Sequence, residues 1–183
     1  EPDSPPWLPD HRVMDQAVLP GAALVEMGIQ AAEGAPLKDI QFEQPLQPNG
    51  RTTVQTIVSK NEEGTSRIEV YSAPDQSSEW TRHFHAQVGA PVPASEESLD
   101  RNAVLANCPH EMNSEDFYQR MRELGLNYGS QFQTVDSLNY SETEVLAHLK
   151  ANGDARGYQI APPLLDGALH CLAVGMLHEQ SDS

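Results

Sequence analysis

A histidine and an aspartate, far apart in the chain, are the residues whose settings could support acid–base chemistry. His11 lies in "DHRVMDQAVLPGAAL", beside an apolar run and nine residues ahead of Pro20, which with Gly21 opens a small-residue helix. A histidine there either packs as a structural residue or handles a proton near neutral pH. Asp166 lies in "PPLLDGALHCLAV", with apolar neighbours on both sides. Carboxylates are almost never fully buried without a partner. Asp166 therefore either sits in a first helical turn, stabilised by the helix dipole, or is kept protonated by apolar surroundings so that it can donate. His170 follows at i+4 on the same helical face, where it orients Asp166 or packs at the surface. If the two parts of the chain pack as partners, base and acid face a common pocket. That pairing suits removal of a proton next to a carbonyl with loss of a neighbouring hydroxyl.

Other chemistries lack their signatures. His11, Asp166 and His170 do not form a tight ligand cluster, so no metal is expected. There is no nucleophile elbow and no glycine-rich phosphate loop, so no nucleotide cofactor is expected. The chain has 27 acidic and 11 basic side chains and a net charge of −16, a field that repels nucleic acid. No apolar run approaches the roughly 20 residues needed to span a bilayer, so no membrane partner is expected. The N-terminal "EPDSPPWLPD" is acidic and proline-rich, unlike a signal peptide. Cys108 and Cys171 lie far apart without a CxxC pair, consistent with a reducing, cytoplasmic compartment.

The elements that must position these residues read as α+β. Pro20 to Ala32 predicts a buried helix, with Pro20 at its start and Gly34 beyond its end. The stretches "RTTVQTIVSK", "SRIEVYSA" and "EWTRHFHAQVGA" alternate with period two and predict an antiparallel meander. Ala90 to about His110 reads as a linker by composition. A helix capped by Ser114 follows and stops at Gly125. "FQTVDSLNYSETEVLAHLK" predicts a hairpin turning near Asn139 to Glu142, and "YQIAPPLLDGALHCLAVGML" a second apolar helix. The halves share one layout, residues 1–92 carrying His11 and 113–183 carrying Asp166, joined by a linker over 93–112. The second helix, Leu164 to Leu177, has only six residues after it, so a further sheet is expected to cover it. Without that sheet the Asp166 side of the pocket would stand open to water.

At these residues the chain resembles the dehydratase domains of modular (type I) polyketide synthases. "WLPDHRVMDQAVLPGAALVEM" is similar to their H-x-x-x-G-x-x-x-x-P motif through His11 and Pro20. "NYGSQFQ" is similar to their Y-G-P-x-F motif, and "PPLLDGALH" to their D-x-x-x-Q/H motif. The resemblance implies a double hotdog, two long helices each wrapped by an antiparallel sheet, with the second hotdog incomplete in this chain. It implies His11 as the base that takes the α-proton and Asp166 as the acid that protonates the departing β-hydroxyl. Tyr128, Gly129, His170 and Pro20 are implied as supporting residues. The implied substrate is a β-hydroxyacyl thioester on the phosphopantetheine arm of an acyl carrier protein. The implied partners are that carrier, neighbouring synthase domains and a second copy in a homodimeric parent.

Two positions depart from the family pattern. Asp15 replaces its glycine and Ser130 its proline. A carboxylate at 15 either favours protonated His11 or points to solvent. An acidic domain needs a local basic patch to dock an acidic carrier, and Arg82, Arg120, Arg122 and Arg156 are the candidates. The alternatives to a dehydratase are a degenerate, non-catalytic hotdog that serves as a scaffold or acyl-binding module, and a dehydratase-like isomerase or cyclase. The "YGSQFQ" and "LLDGALH" strings favour the dehydratase.

Overall fold

A computed structural model describes residues 4–60, 64–91 and 99–174. After a 3-10 turn at Leu8–Asp10 come β1 (His11–Val13), β2 (Gln16–Ala17) and α1 (Gly21–Ala31). Strands β3 (Leu37–Phe42), β4 (Thr52–Lys60), β5 (Ser66–Pro74) and β6 (Thr81–Val88) complete the first half. The second half contains α2 (Arg101–Asn107), β7 (His110–Asn113), α3 (Ser114–Glu123), β8 (Leu126–Tyr128), β9 (Val135–Tyr140), β10 (Val145–Leu149) and α4 (Pro162–His170).

In the first half, α1 packs on an antiparallel sheet of order β3-β6-β5-β4. The period-two pattern places Ile68, Val70, Phe84 and Ala86 on the face toward the helix, where each is fully buried. With Ala23 and Leu24 of α1 they form the first core. Close approach depends on Gly28. A Cβ there would come within 2.8 Å of Leu37 Cδ1 and 3.2 Å of Phe84 Cε1. Strand β3 escapes the alternation rule because its register against β6 shifts between Lys38 and Gln41 and Asp39 takes a φ of +53°. A bulge of this kind breaks the pattern by which a strand is read.

In the second half, the sheet order is β10-β9-β7, and its core gathers Met112, Phe117, Met121, Val135 and Leu138. The expected cap of α3 moves by one residue. Asn113 caps the helix by accepting from the Asp116 N–H at 2.9 Å, while Ser114 Oγ donates to the Val135 carbonyl at 2.7 Å. The stretch read as a linker also holds structure. Asp100 accepts from the N–H groups of Asn102 and Ala103 and so starts α2. The part of that stretch from 92 to 98 lies outside the described residues.

The main element pairings between the halves, among the described residues, are these. Strand β8 pairs with β1, and β1 with β2, in a small antiparallel sheet, and α1 packs against α4. Helix α4 ends at His170 and passes into a 3-10 turn over Cys171–Ala173. The end of the expected Leu164–Leu177 helix, from 175 onward, lies outside the described residues. No helix among the described residues is long and apolar enough to cross a membrane.

Candidate active site

The β1–β8 register sets His11 directly opposite Tyr128. The His11 ring is then turned by one bond, with Nδ1 2.7 Å from the Val18 carbonyl oxygen. A carbonyl only accepts, so Nδ1 carries the proton and Nε2 the lone pair. Nε2 faces Asp166 Oδ2 at 3.8 Å. The rings of Phe132 and Tyr128 close on His11 at centroid distances of 5.0 and 5.4 Å. Burial depresses the His11 pKa below 6.5, partly opposed by the charge of Asp166. The ring is therefore a neutral base at pH 7.

Asp166 falls in the second turn of α4, and the first turn holds no acidic residue. The dipole explanation for its burial does not apply. It is 6% exposed, so the site is not open to water on this side. His170 stands one turn on, with Nε2 2.6 Å from Asp166 Oδ2, and its ring stacks on Tyr128 with centroids 4.2 Å apart. The approach is not along a hydrogen-bond direction, and neither Asp166 Oδ2 nor His170 Nδ1 has a hydrogen-bond partner among the described residues. Burial, then the Asp166 charge, push the Tyr128 phenol pKa well above its usual value.

The "YGSQF" loop is pinned from both sides. The Gly129 N–H donates to the Asp10 carbonyl at 2.7 Å, and the Gln131 N–H to the Asp10 carboxylate at 3.0 Å. A side chain at Gly129 would overlap the Asp10 carboxylate, which is why glycine stands there. The Tyr118 hydroxyl donates to the Phe132 carbonyl and accepts from the Val135 N–H. Pro20, the N-cap of α1, helps wall a cavity of about 380 Å³ beside His11, with Leu19, Leu24, Phe42 and Leu46. Asp166 is not part of that lining. His11 and Asp166 meet edge to edge, and of the two only His11 lines this cavity.

Two family models match the chain. Residues 1–73 match "Polyketide synthase dehydratase domain" and residues 96–183 match "Polyketide synthase dehydratase N-terminal domain". The chain belongs to the polyketide synthase dehydratase family. It is 30% identical to the spectinabilin polyketide synthase system protein NorA' of Streptomyces orinoci, over 94% of this chain and 5% of that protein. It is 27% identical to erythronolide synthase EryA2 of Saccharopolyspora erythraea, over 97% of this chain and 5% of that protein. Among solved structures, a trans-AT dehydratase domain from Brevibacillus brevis superposes with a TM-score of 0.84 at 26% identity, covering 93% of this chain and 69% of that one. The dehydratase domain of a mycocerosic acid synthase-like synthase gives 0.85 at 26%, covering 97% and 67%. The fold is thus a double hotdog. The chain spans about two thirds of the solved domains and between 2% and 12% of the curated relatives.

Within this dehydratase domain the two departures from the motif make polar contacts outside the His11–Asp166 pair. Asp15 is exposed, accepts from the Asn127 side chain at 3.0 Å and is not among the groups that shift His11. Ser130 Oγ reaches the Asp10 carboxylate at 3.5 Å. Two of the four candidate docking arginines are neutralised, Arg82 by Glu43 and Glu69 and Arg156 by Asp154. Arg120 and Arg122 lie in the last turn of α3. Sequence reasoning missed Val18, Phe132 and Glu26. The first acts through a backbone carbonyl, which leaves no mark in the sequence, and the second, acting through a ring face, is the phenylalanine of the Y-G-P-x-F string. Glu26 did leave a mark, a carboxylate amid the apolar residues of "AALVEMG".

Proposed function

We propose that the domain removes water from a β-hydroxyacyl thioester, with His11 as base and Asp166 as acid. The observation that carries this reading is the fixed His11 tautomer, whose Nε2 lone pair faces Asp166 Oδ2 at 3.8 Å, with both residues buried. His11 Nε2 takes a proton from the carbon α to the thioester carbonyl. The electron pair forms the α,β double bond, and the β-hydroxyl leaves as water with a proton from Asp166. Proton return from His11 to Asp166 resets the pair. His170 orients the carboxyl group, and the apolar cavity beside His11 receives acyl chain.

The substrate arrives on the phosphopantetheine arm of an acyl carrier protein. This is supported by relatives that are modular polyketide synthases. Arg120 and Arg122 supply the cationic contact for that carrier, with neighbouring synthase domains in the parent protein. The test is mass spectrometry of a carrier-bound 3-hydroxyacyl chain after incubation with the domain. Loss of one water from the acyl chain is expected, and an unchanged mass would overturn the reading.

A further inference from the structure

Helices α1 and α4 carry the same pattern. Leu24-Val25-Glu26 with Gln30 at i+4 parallels Leu164-Leu165-Asp166 with His170 at i+4. In both the second residue reaches back to the carboxylate, Gln30 Nε2 to Glu26 Oε1 at 2.8 Å and His170 Nε2 to Asp166 Oδ2 at 2.6 Å. Glu26 is as deeply buried as Asp166, at 3% exposure. Its surroundings differ. Oε1 accepts from the Gln159 N–H at 2.8 Å and Oε2 from the Ile160 N–H at 3.0 Å. Both oxygens are engaged by backbone donors and so act as hydrogen-bond acceptors here. A cavity of about 400 Å³ lies beside it, but no histidine is among its described lining residues.

The segment Glu26 grips leads straight into α4. That helix begins at Pro162 and Pro163, has no side-chain cap, and is held in its first turn by Thr134 Oγ1 on the Pro163 carbonyl at 3.2 Å. The preceding residues are tied to the first half. Gln30 Nε2 donates to the Gly157 carbonyl at 3.3 Å, and Trp7 Nε1 to the Tyr158 hydroxyl at 3.1 Å. The Glu26 clamp on residues 159 and 160 is the last of these ties before the helix. Asp166 follows Ile160 by six residues on a rigid element.

We propose that Glu26 is a positioning residue, a clamp from α1 that sets where Asp166 stands against His11. The proposal rests on the acid–base reading of that pair. It makes the buried carboxylate of the first helix the mount for the reacting carboxylate of the second.

The test is an NMR titration of His11 in four full-length chains: wild type, Glu26→Gln, Asp166→Asn and the double variant. Glutamine keeps the shape but turns an amide N–H₂ toward a backbone N–H, so one clamp bond is lost. A 1 Å change in the His11–Asp166 spacing moves the His11 midpoint by on the order of half a pH unit. That shift is expected for Glu26→Gln in the Asp166 chain and not in the Asp166→Asn background. Dehydration by Glu26→Gln should show kcat lowered up to about 10²-fold, the cost of a misplaced group, with KM little changed. Gln30→Leu removes only the side brace and the tie to Gly157 and should give the same pattern at smaller size, which serves if Glu26→Gln does not fold. No shift in either variant, or an equal shift with and without Asp166, overturns the clamp. A wild-type chain that leaves the substrate intact would overturn the dehydratase reading alone, because the titration still decides the role of Glu26.

Discussion

The α1 and α4 helices offer two versions of one device, a buried carboxylate with a polar partner one turn on. In α4 the partner is His170 and the neighbour across the gap is the Nε2 lone pair of His11. In α1 the partner is Gln30 and the neighbours are two backbone N–H groups. Helix position and burial are alike, so neither decides what the carboxylate does. What decides it is whether the groups facing it can exchange protons. Backbone amides cannot, and they occupy both Glu26 oxygens. An imidazole can, and it leaves Asp166 with an oxygen that has no hydrogen-bond partner among the described residues.

The comparison is broken most directly by removing one member at a time. His11→Phe and Asp166→Asn should each lower the dehydration rate by about 10² to 10⁴, the range for positioned acids and bases, with the fold retained by circular dichroism. Glu26→Gln should cost less than Asp166→Asn. A Glu26→Gln chain as inactive as Asp166→Asn would mean that both carboxylates take part in the chemistry.

Proton occupancy gives the next test. Burial lowers the His11 pKa from 6.5, so protonation of His11 should not limit kcat/KM at pH 6.5 or above. That ratio should fall about tenfold per pH unit only once the pH passes below the depressed value. The nearby Asp166 charge raises this pKa, and Asp166→Asn should therefore move the His11 titration further down by NMR. The same shift acts on stability. Between the folded value and 6.5 the unfolded chain binds the proton and the folded chain does not. Stability is thus complete above 6.5 and declines as the pH falls through that window. His11→Phe should remove this part of the decline in a urea titration.

The two helices also differ in how they use a glycine. A Cβ on Gly167 would overlap the hydroxyl of Thr134, a 1% exposed residue whose Oγ1 donates to the Pro163 carbonyl. Neither group can retreat without breaking the seat of α4. A Cβ on Gly28 meets the Leu37 methyl at 2.8 Å and the Phe84 ring, and a leucine end can rotate away. Gly167→Ala should cost about 1–3 kcal/mol by overpacking, more than Gly28→Ala, as read from denaturant midpoints. The reverse order would show that α1 is the more tightly seated helix.

Much of this was legible in the sequence because it rests on local rules. Pro20 and the Pro162–Pro163 pair mark where the helices begin. The alternation of Ile68 and Val70, and of Phe84 and Ala86, marks the strands that face α1. His11, Asp166 and His170 were found as anomalies of type and spacing, and the motifs around them named the family. The failures have a common cause. Strand β3 hides behind a bulge, and α2 behind a composition typical of linkers. The cap of α3 moved to Asn113 because Ser114 is drawn to a carbonyl of β9. Glu26 was passed over although it is as anomalous as Asp166, since its partners are amides of residues 159 and 160, more than 130 positions away. A sequence displays side chains, and contacts made by distant backbone are silent in it.

The smallest expected effect concerns Asp15, which stands at the glycine position of the family motif. Its φ is +64°, in the left-handed region that glycine adopts without cost. Asp15→Gly therefore relieves strain of about 1 kcal/mol. It gives back about 0.4–1 kcal/mol through the greater freedom of the unfolded chain, and it also loses the exposed bond from Asn127. These contributions nearly cancel, and the denaturation midpoint should barely move. The catalytic consequence is equally small. The Asp15 carboxylate points to solvent, and its backbone carbonyl, which accepts from Arg12 at 3.0 Å, is unaffected by the change. Kinetics of Asp15→Gly should superpose on wild type within about twofold, with the same acid limb in kcat/KM. A displaced limb would show that Asp15 acts on His11 through space, adding a third carboxylate to the two compared above.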